Sequence, residues 1–189
     1  MLVAAKYEEM YAPAVDEFVF ISDETYSRES ILTMECRVLR ALKFNLTVYT
    51  VPSFLPRFQR ASIEGNPVPI SNNAQLGMMH IANYLSELAL QKYDLLQYKP
   101  SLIASSLTLI SRLINRMQPC WHTTLRVITT YELSDMKYCA IDIMRLLEVA
   151  RTSNLHAIRR KYMQSEFGRV STLSIPVESI CQVIMEKCA

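Results

Sequence analysis

Residues 100–114 of this chain read PSLIASSLTLISRLI, a stretch that is apolar on most sides when it is wound into a helix. Pro100 suits the first turn of a helix, where its missing N–H group is not needed. Ala104, Ser105 and Ser106 place small residues in one turn, so neighbouring elements can approach closely. A helix that is apolar almost all round is typical of the centre of a bundle. The stretch therefore predicts a central, buried helix.

Apolar residues recur at helical spacing along most of the remaining chain. We expect a helix in the first eleven residues, a loop over residues 61–72 and a terminal helix after Ser174. Between the two ends, helices are expected over residues 27–43, 50–60, 73–90, 121–130, 134–149 and 155–164. Asn45 is expected to end the 27–43 helix in the left-handed conformation. Residues 15–21 fit either a strand or a buried helical turn. The predicted fold class is all-α.

Glycine is scarce, because the 189 residues contain only three. Sheet-rich folds need glycine at their turns, so this scarcity favours helices joined by short polar loops. Three isolated glycines cannot build a phosphate-binding loop, which excludes a P-loop and a dinucleotide-binding fingerprint. The formal net charge of +2 is too small to hold the chain on nucleic acid through its overall field.

The cysteines and histidines predict no metal site and no disulfide framework. The five cysteines are odd in number and none forms a C-x-x-C pair, so free thiols in a reducing compartment are expected. The three histidines lack metal-ligand spacing with any cysteine or glutamate. With no apolar run of about 20 residues and no basic segment or cleavage site at the N-terminus, we expect neither a membrane span nor a secretory signal.

The helical organisation breaks near residues 47–50, and this break suggests a division of the chain. We expect residues 1–48 to form one part and residues 49–150 to form a compact box of five helices. Residues 151–189 are expected to form a C-terminal helix and tail.

Four blocks of sequence carry a resemblance to a known family. They are AAKYEEMYAP at residues 4–13, DEFVFISDETYSRESILTMECRVLRALKFNLTVYTVPSFL at residues 16–55, KPSLIAS at residues 99–105, and KYMQSEFGRVSTL at residues 161–173. Together they resemble the cyclin box of A- and B-type cyclins over nearly the whole chain. The pattern KY-x2-S-x4-VS in the last block is closer to mitotic B-type cyclins.

The resemblance implies a cyclin fold and a regulatory role. Such proteins are non-catalytic subunits that bind and activate a cyclin-dependent kinase, here at the G2/M transition, and they consist of two boxes of five helices. Set against that pattern, Met1 falls inside the third helix of the first box, so the chain looks truncated there. The resemblance implies no cofactor, no nucleic acid and no small-molecule substrate, and a location in nucleus and cytoplasm.

The resemblance also implies which residues contact the kinase. Lys6 would donate to backbone carbonyls of the kinase and Glu35 would accept from its backbone N–H groups, near the start of its αC helix. The surrounding apolar pocket would be formed by Val3, Tyr7, Leu39, Phe44 and Leu46. The acidic pair Glu8 and Glu9 would lie near the kinase activation segment.

Plainer interpretations of the same residues stay open. From chemistry alone, Lys6 and Glu35 are two surface charges, and Phe44 and Leu46 are core residues at a helix end. The stripe formed by Met34, Val38 and Leu42 is expected to be core under either interpretation. No hydroxyl has a paired base at a recognisable spacing, which gives an enzyme little support.

A second class of function is a cyclin-fold adaptor, of the transcription-factor type that binds DNA or the pocket-protein type that binds peptides. A DNA-binding protein would need a basic stripe that this chain lacks.

Overall fold

The computed structural model of the chain describes residues 1–187, and all the regular structure in that range is helical. The α-helices are α1 (Leu2–Glu8), α2 (Val15–Ile21), α3 (Arg28–Ala41), α4 (Val51–Glu64), α5 (Asn72–Ala89), α6 (Pro100–Ile114), α7 (Thr123–Thr129), α8 (Leu133–Thr152), α9 (Ala157–Lys161) and α10 (Val177–Lys187). Short 3-10 turns cover Tyr93–Gln97, Ser165–Phe167 and Val170–Thr172. The all-α expectation is confirmed. The chain divides into two compact units, Met1–Val48 and a second that begins at Tyr49.

The first unit contains α1, α2 and α3, and α2 packs on α3. The stretch that fitted either a strand or a helical turn is α2, whose start is held by a bond from the Ala14 backbone N–H to Glu17 Oε1 (3.0 Å). Helix α3 begins after Ser27, whose hydroxyl oxygen accepts from the Ser30 backbone N–H at 3.2 Å. This is the usual way in which a serine satisfies a free donor at a helix start.

The end of α3 differs from the expectation for Asn45. The left-handed residues are Lys43 and Phe44, with φ angles of 49° and 56°. The helix ends at Ala41, and the Phe44 backbone N–H then bonds to the Leu39 carbonyl at 2.9 Å. Because this bond closes the last turn earlier than predicted, the chain has already reversed before it reaches Asn45.

The apolar stripe of α3 is not core, so that expectation was wrong. Met34, Val38 and Leu42 are 52%, 37% and 48% exposed. Helices α1 and α2 line the sides of an open groove beside this stripe rather than closing over it. Leu2 is the one buried residue of this unit's helices, at 6% exposure.

The second unit is a box of α4, α5, α6, α7 and α8 built around α6. Residues 103–112 of α6 are all buried, and the helix packs against α4, α5 and α8. Three hydroxyl groups inside this helix donate to its own carbonyls: Ser105 to Ser101, Thr108 to Ala104 and Ser111 to Thr108. A fourth, Ser106 Oγ, is buried with no hydrogen-bond partner among the described residues. Because three of the four buried hydroxyls are satisfied locally, α6 can be enclosed by its neighbours at little polar cost. The central position predicted for α6 is confirmed.

The predicted loop over 61–72 begins later than expected. Helix α4 continues through Pro56 to Glu64, because Ala61 and Ser62 are buried and their burial outweighs the loop-forming composition that follows. The turn starts at Gly65, where a Cβ atom would lie 2.6 Å from the Thr124 side chain. Such a contact is too short for any larger residue, so glycine permits the close approach of α4 and α7.

The C-terminal residues pack on the box. Helix α10 lies against α8, and α9 and the turn Val170–Thr172 lie against α5. Tyr162 is 2% exposed, and its ring lies 5.1 Å from the rings of Tyr84 and Phe167.

A buried arginine joins α4 and α6 to the loop before α7. The Arg112 guanidinium, which is 0% exposed, donates five hydrogen bonds: to the carbonyls of Cys120, Ser62 and Pro119, and to the side-chain oxygens of Ser62 and Asn66. All five acceptors are uncharged. Burial lowers the pKa of Arg112, but an arginine keeps its proton at any ordinary pH. Sequence patterns did not indicate that this residue is buried, since an arginine normally lies at a solvent-exposed position.

His122 lies beside this arginine and is 6% exposed. Its Nε2 atom is 3.4 Å from the Ser62 carbonyl oxygen, and its Nδ1 atom is buried with no partner among the described residues. Burial lowers the pKa of His122, the Arg112 charge lowers it further, and the bond to Ser62 opposes both effects.

The central position of α6 predicts the effect of Ala104→Leu. Ala104 is 0% exposed, so a larger side chain overpacks the box and is expected to lower the free energy of unfolding by about 1–3 kcal/mol. The matched control is Ala157→Leu, at an exposed alanine of α9, which should leave stability nearly unchanged. Urea unfolding measures both, and equal midpoints for the two variants would show that α6 is not tightly enclosed.

The environment of His122 predicts a loss of stability in mild acid. A lowered pKa in the folded state means that the unfolded chain binds a proton more readily. Neutral His122 therefore makes its full contribution to the free energy of unfolding above about pH 6.5, the pKa of an unperturbed histidine. This contribution is lost as the pH falls from there through the lower pKa that His122 has in the folded protein. The urea midpoint should fall less between about pH 7.5 and about pH 5.0 in His122→Gln than in the unaltered chain. His156→Gln, at an exposed histidine, should leave this decrease of the urea midpoint unchanged. An equal decrease in all three proteins would contradict the prediction.

Candidate functional site

An ion pair joins α1 to α3 on the surface of the first unit. Lys6 Nζ donates to both carboxylate oxygens of Glu35, at 2.8 Å and 3.0 Å. The two residues are 29 positions apart in the sequence, so the pair fixes one helix against the other. The Lys6 side chain is 45% exposed and that of Glu35 12% exposed. The ion pair is therefore open to solvent on the lysine side and enclosed on the glutamate side.

The helices bring the two charges face to face, and the helix end favours the charge of Lys6. Lys6 is in the last turn of α1, where the free carbonyls carry partial negative charge. Glu35 lies in the middle of α3, on the side that faces α1. A second contact ties α1 to the segment after α3, because the hydroxyls of Tyr7 and Thr47 are 2.6 Å apart.

The ion pair keeps hydrogen-bonding capacity for a partner. An ammonium group has three N–H donors, of which Lys6 uses two on Glu35. Each carboxylate oxygen of Glu35 accepts one bond and retains another lone pair. The pair can therefore present one donor and several acceptor sites to a backbone segment that approaches it, with no need to break first.

An apolar groove of about 550 Å³ opens next to Glu35. It is lined mainly by side chains of α1, α2 and α3, among them Leu2, Val3, Phe18, Ile31 and Met34. Glu35 lies in its lining as a carboxylate among apolar side chains. The groove therefore combines an apolar surface with one anchored acceptor.

The structure brings together some of the predicted contact residues but not all. Lys6 and Glu35 touch, and Val3 lines the same groove as Glu35. The groove's lining does not include the other four apolar candidates, Tyr7, Leu39, Phe44 and Leu46. Of these four, Leu39 and Leu46 are half-buried, whereas Tyr7 is 49% and Phe44 68% exposed. Phe44 is therefore not a core residue, and the acidic pair Glu8 and Glu9 is exposed at the end of α1.

A second ion pair in this unit was not predicted. Arg28 Nη1 donates to both oxygens of Asp16, each at 2.8 Å, and the two side chains are 56% and 72% exposed. It joins the start of α2 to the start of α3. Nothing in the spacing of these charges distinguishes them from other surface residues, so only the folded arrangement identifies the pair.

The described residues contain no cluster suited to a metal ion. Within 1–187, no three of the histidines, cysteines and acidic residues are grouped so that they could hold one. In the same range no helix is both long and apolar enough to cross a membrane. Four cysteines carry free thiols there, and burial raises the pKa of Cys139 to about 11. Cys188 lies outside the described residues.

Comparison with known families gives the identification. Residues 49–176 match the family described as "Cyclin, C-terminal domain", and residues 1–47 match "Cyclin, N-terminal domain". The chain belongs to the cyclin family. Its two matched segments meet at the position where the structure divides into two units.

Three curated cyclins show how far the similarity extends. The chain is 41% identical over 177 residues to Cyclin-A2-1 of Arabidopsis thaliana. The matched stretch covers 93% of the chain and 39% of that protein. It is 41% identical over 179 residues to Cyclin-A1-1 of Oryza sativa subsp. japonica (93% and 34%), and 40% identical over 183 residues to Cyclin-A1-4 of the same organism (94% and 50%). The chain thus spans between a third and a half of these relatives' length. All three carry A-type names, so these relatives do not support the closer likeness to B-type cyclins that the last block predicted.

Proposed function

We propose that this cyclin is a non-catalytic regulatory subunit that binds and activates a cyclin-dependent protein kinase during the cell cycle. Membership of the cyclin family supports the class of function. The observation that carries the residue assignment is the Lys6–Glu35 ion pair, a preformed and partly exposed polar anchor at the edge of an apolar groove.

The proposed contact works through the αC helix of the kinase. Lys6 would donate its remaining N–H to a backbone carbonyl near the start of that helix, and Glu35 would accept from backbone N–H groups. Bonds in which one partner is charged are about twice as strong as neutral ones. Val3 and the other apolar candidates would receive side chains of the same helix.

Activation would follow from where the kinase helix is held. Phosphoryl transfer in a protein kinase needs an ion pair between a lysine on its sheet and a glutamate on αC. A cyclin that binds αC in the inward position stabilises this pair without touching ATP. The role of the cyclin would therefore be to shift the kinase between two conformations, and it needs no catalytic residue of its own.

The timing and location belong to the same proposal. The KY-x2-S-x4-VS pattern at residues 161–171 supports action at the G2/M transition, and the free thiols of the described cysteines fit a reducing compartment such as the nucleus and cytoplasm. The kinase itself, rather than DNA or a peptide motif, is the proposed partner.

The ion pair predicts the outcome of removing either charge. Lys6→Ala and Glu35→Ala are each expected to weaken kinase binding by about 1–3 kcal/mol, because polar groups of the kinase are then left without partners. Since the two side chains bond each other, the double variant should lose less than the sum of the single losses. Isothermal titration with a purified cyclin-dependent kinase measures all three.

The Arg28–Asp16 pair provides the matched control. Arg28→Ala removes an equally short ion pair from the same unit and should leave kinase affinity unchanged. Equal losses of kinase affinity from Arg28→Ala and Lys6→Ala would show that the loss comes from the change in net charge or from a less stable first unit, and not from a specific contact. Unchanged binding in the Lys6/Glu35 double variant would remove these residues from the interface, and retention on DNA or heparin instead of the kinase would favour the adaptor function.

A further inference from the structure

A cavity of about 360 Å³ opens in the second unit between the end of α6 and the start of α10. The buried residues of its lining are three isoleucines, namely Ile81 of α5, Ile175 and Ile180. Leu113 and Ile114, at the end of α6, are half-buried and complete this interior. The interior of the cavity is therefore aliphatic, and its volume lies near the lower end of the range of small-molecule sites, about 300–1,000 Å³.

The polar side chains of the lining belong to its more exposed residues and so form the mouth of the cavity. Arg116, which follows α6, and Ser174 are exposed, and Asn115 is half-buried. Asn115 donates one amide N–H to the Ser111 carbonyl at 2.8 Å and keeps the other. Arg116 forms no ion pair with any carboxylate of the described residues. The mouth therefore presents hydrogen-bond donors and one unpaired positive charge.

No acidic side chain of the described lining competes for this charge, because that lining contains neither aspartate nor glutamate. The acidic residue of the first turn of α10, Glu178, is exposed. Residues two positions apart on a helix do not share a face, so Glu178 lies away from Ile180, which lines the cavity. An aliphatic interior with a cationic mouth is complementary to a molecule that has an apolar tail and a carboxylate head.

We propose that this cavity binds an aliphatic monocarboxylate of medium chain length, with its carboxylate on Arg116 and its tail among the three isoleucines. A guanidinium matches both oxygens of a carboxylate at once. The free N–H of Asn115 and the Ser174 hydroxyl are further donors for the same head group. All these residues belong to the second unit, so the site is independent of the α1 and α3 surface proposed for the kinase.

The test follows the isoleucine methyl signals of the full chain by NMR while octanoate, hexanoate, butanoate or acetate is added. Octanoate should shift the signals of Ile81, Ile175 and Ile180 saturably. It should leave the signal of Ile31, in the apolar groove of the first unit, unchanged. Each methylene removed from the tail should weaken binding by about fourfold, because less aliphatic surface is then buried. Octanol, which has the same tail without the charge, should bind about tenfold more weakly than octanoate.

Variants separate the head of the ligand from its tail. Arg116→Gln should weaken octanoate binding by about tenfold or more and leave the affinity for octanol nearly unchanged, because only the carboxylate loses its partner. The matched control is Arg169→Gln, at an exposed arginine outside the lining that shares the left-handed backbone of Arg116, with φ angles of 53° and 54°. It should change neither affinity. Leu173→Ala, at an exposed apolar residue of the lining, should weaken octanoate and octanol alike. A thermal melt without ligand confirms that each variant is folded.

Four results would overturn the proposal. Absence of saturable shifts at the three isoleucines would show that the cavity does not bind the tail, and equal weakening by Arg169→Gln would show that Arg116 is not the specific partner of the head. Acetate binding as tightly as octanoate would reveal a site for small anions only. Tighter binding of the peptide Ala-Ala-Leu, with a free carboxylate at its end, would assign the cavity to the C-terminus of a partner protein instead.

Discussion

The second unit depends on the enclosure of a single helix. Every residue of α6 from 103 to 112 is buried, and the helices α4, α5 and α8 obtain much of their covering by packing on it. This requires small residues where neighbours approach and hydroxyls that bond to the helix's own carbonyls. It also requires that Arg112, near the end of the helix, find five neutral acceptors in α4 and the following loops. Burial of a charged group is otherwise costly, so this network fixes the position of the residues around it.

The first unit is built differently, and the difference suits a binding role. Its largest helix, α3, has no buried residue, and its apolar stripe lies along an open groove. Segments with few buried contacts are those that open or rearrange at low free-energy cost. If a partner orders them, part of the interaction energy is used for that ordering. The Lys6–Glu35 bond reduces this cost, since it already holds α1 against α3 before any partner binds.

The sequence predicted what depends on periodicity and missed what depends on tertiary neighbours. The bounds of α6 follow from Pro100 and a continuous apolar pattern, and the structure agrees with them. The end of α4 was misplaced because burial of Ala61 and Ser62 outweighs the composition of the loop. The motif placed Lys6 and Glu35 on one surface, but their mutual bond joins residues 29 positions apart and is visible only in the fold. Arg112 was missed for the same reason, because an arginine in a sequence normally indicates a solvent-exposed position.

We propose that the surface of α1 and α3 receives a cyclin-dependent kinase. Amide hydrogen exchange of the chain, measured alone and with the purified kinase, tests it most directly. Exchange should slow on kinase binding in α1 and in the part of α3 around Glu35, while the amides of α6 around Leu107 stay protected in both samples. Slowing confined to the second unit, or no change in α1 and α3 at saturating kinase, would contradict the claim.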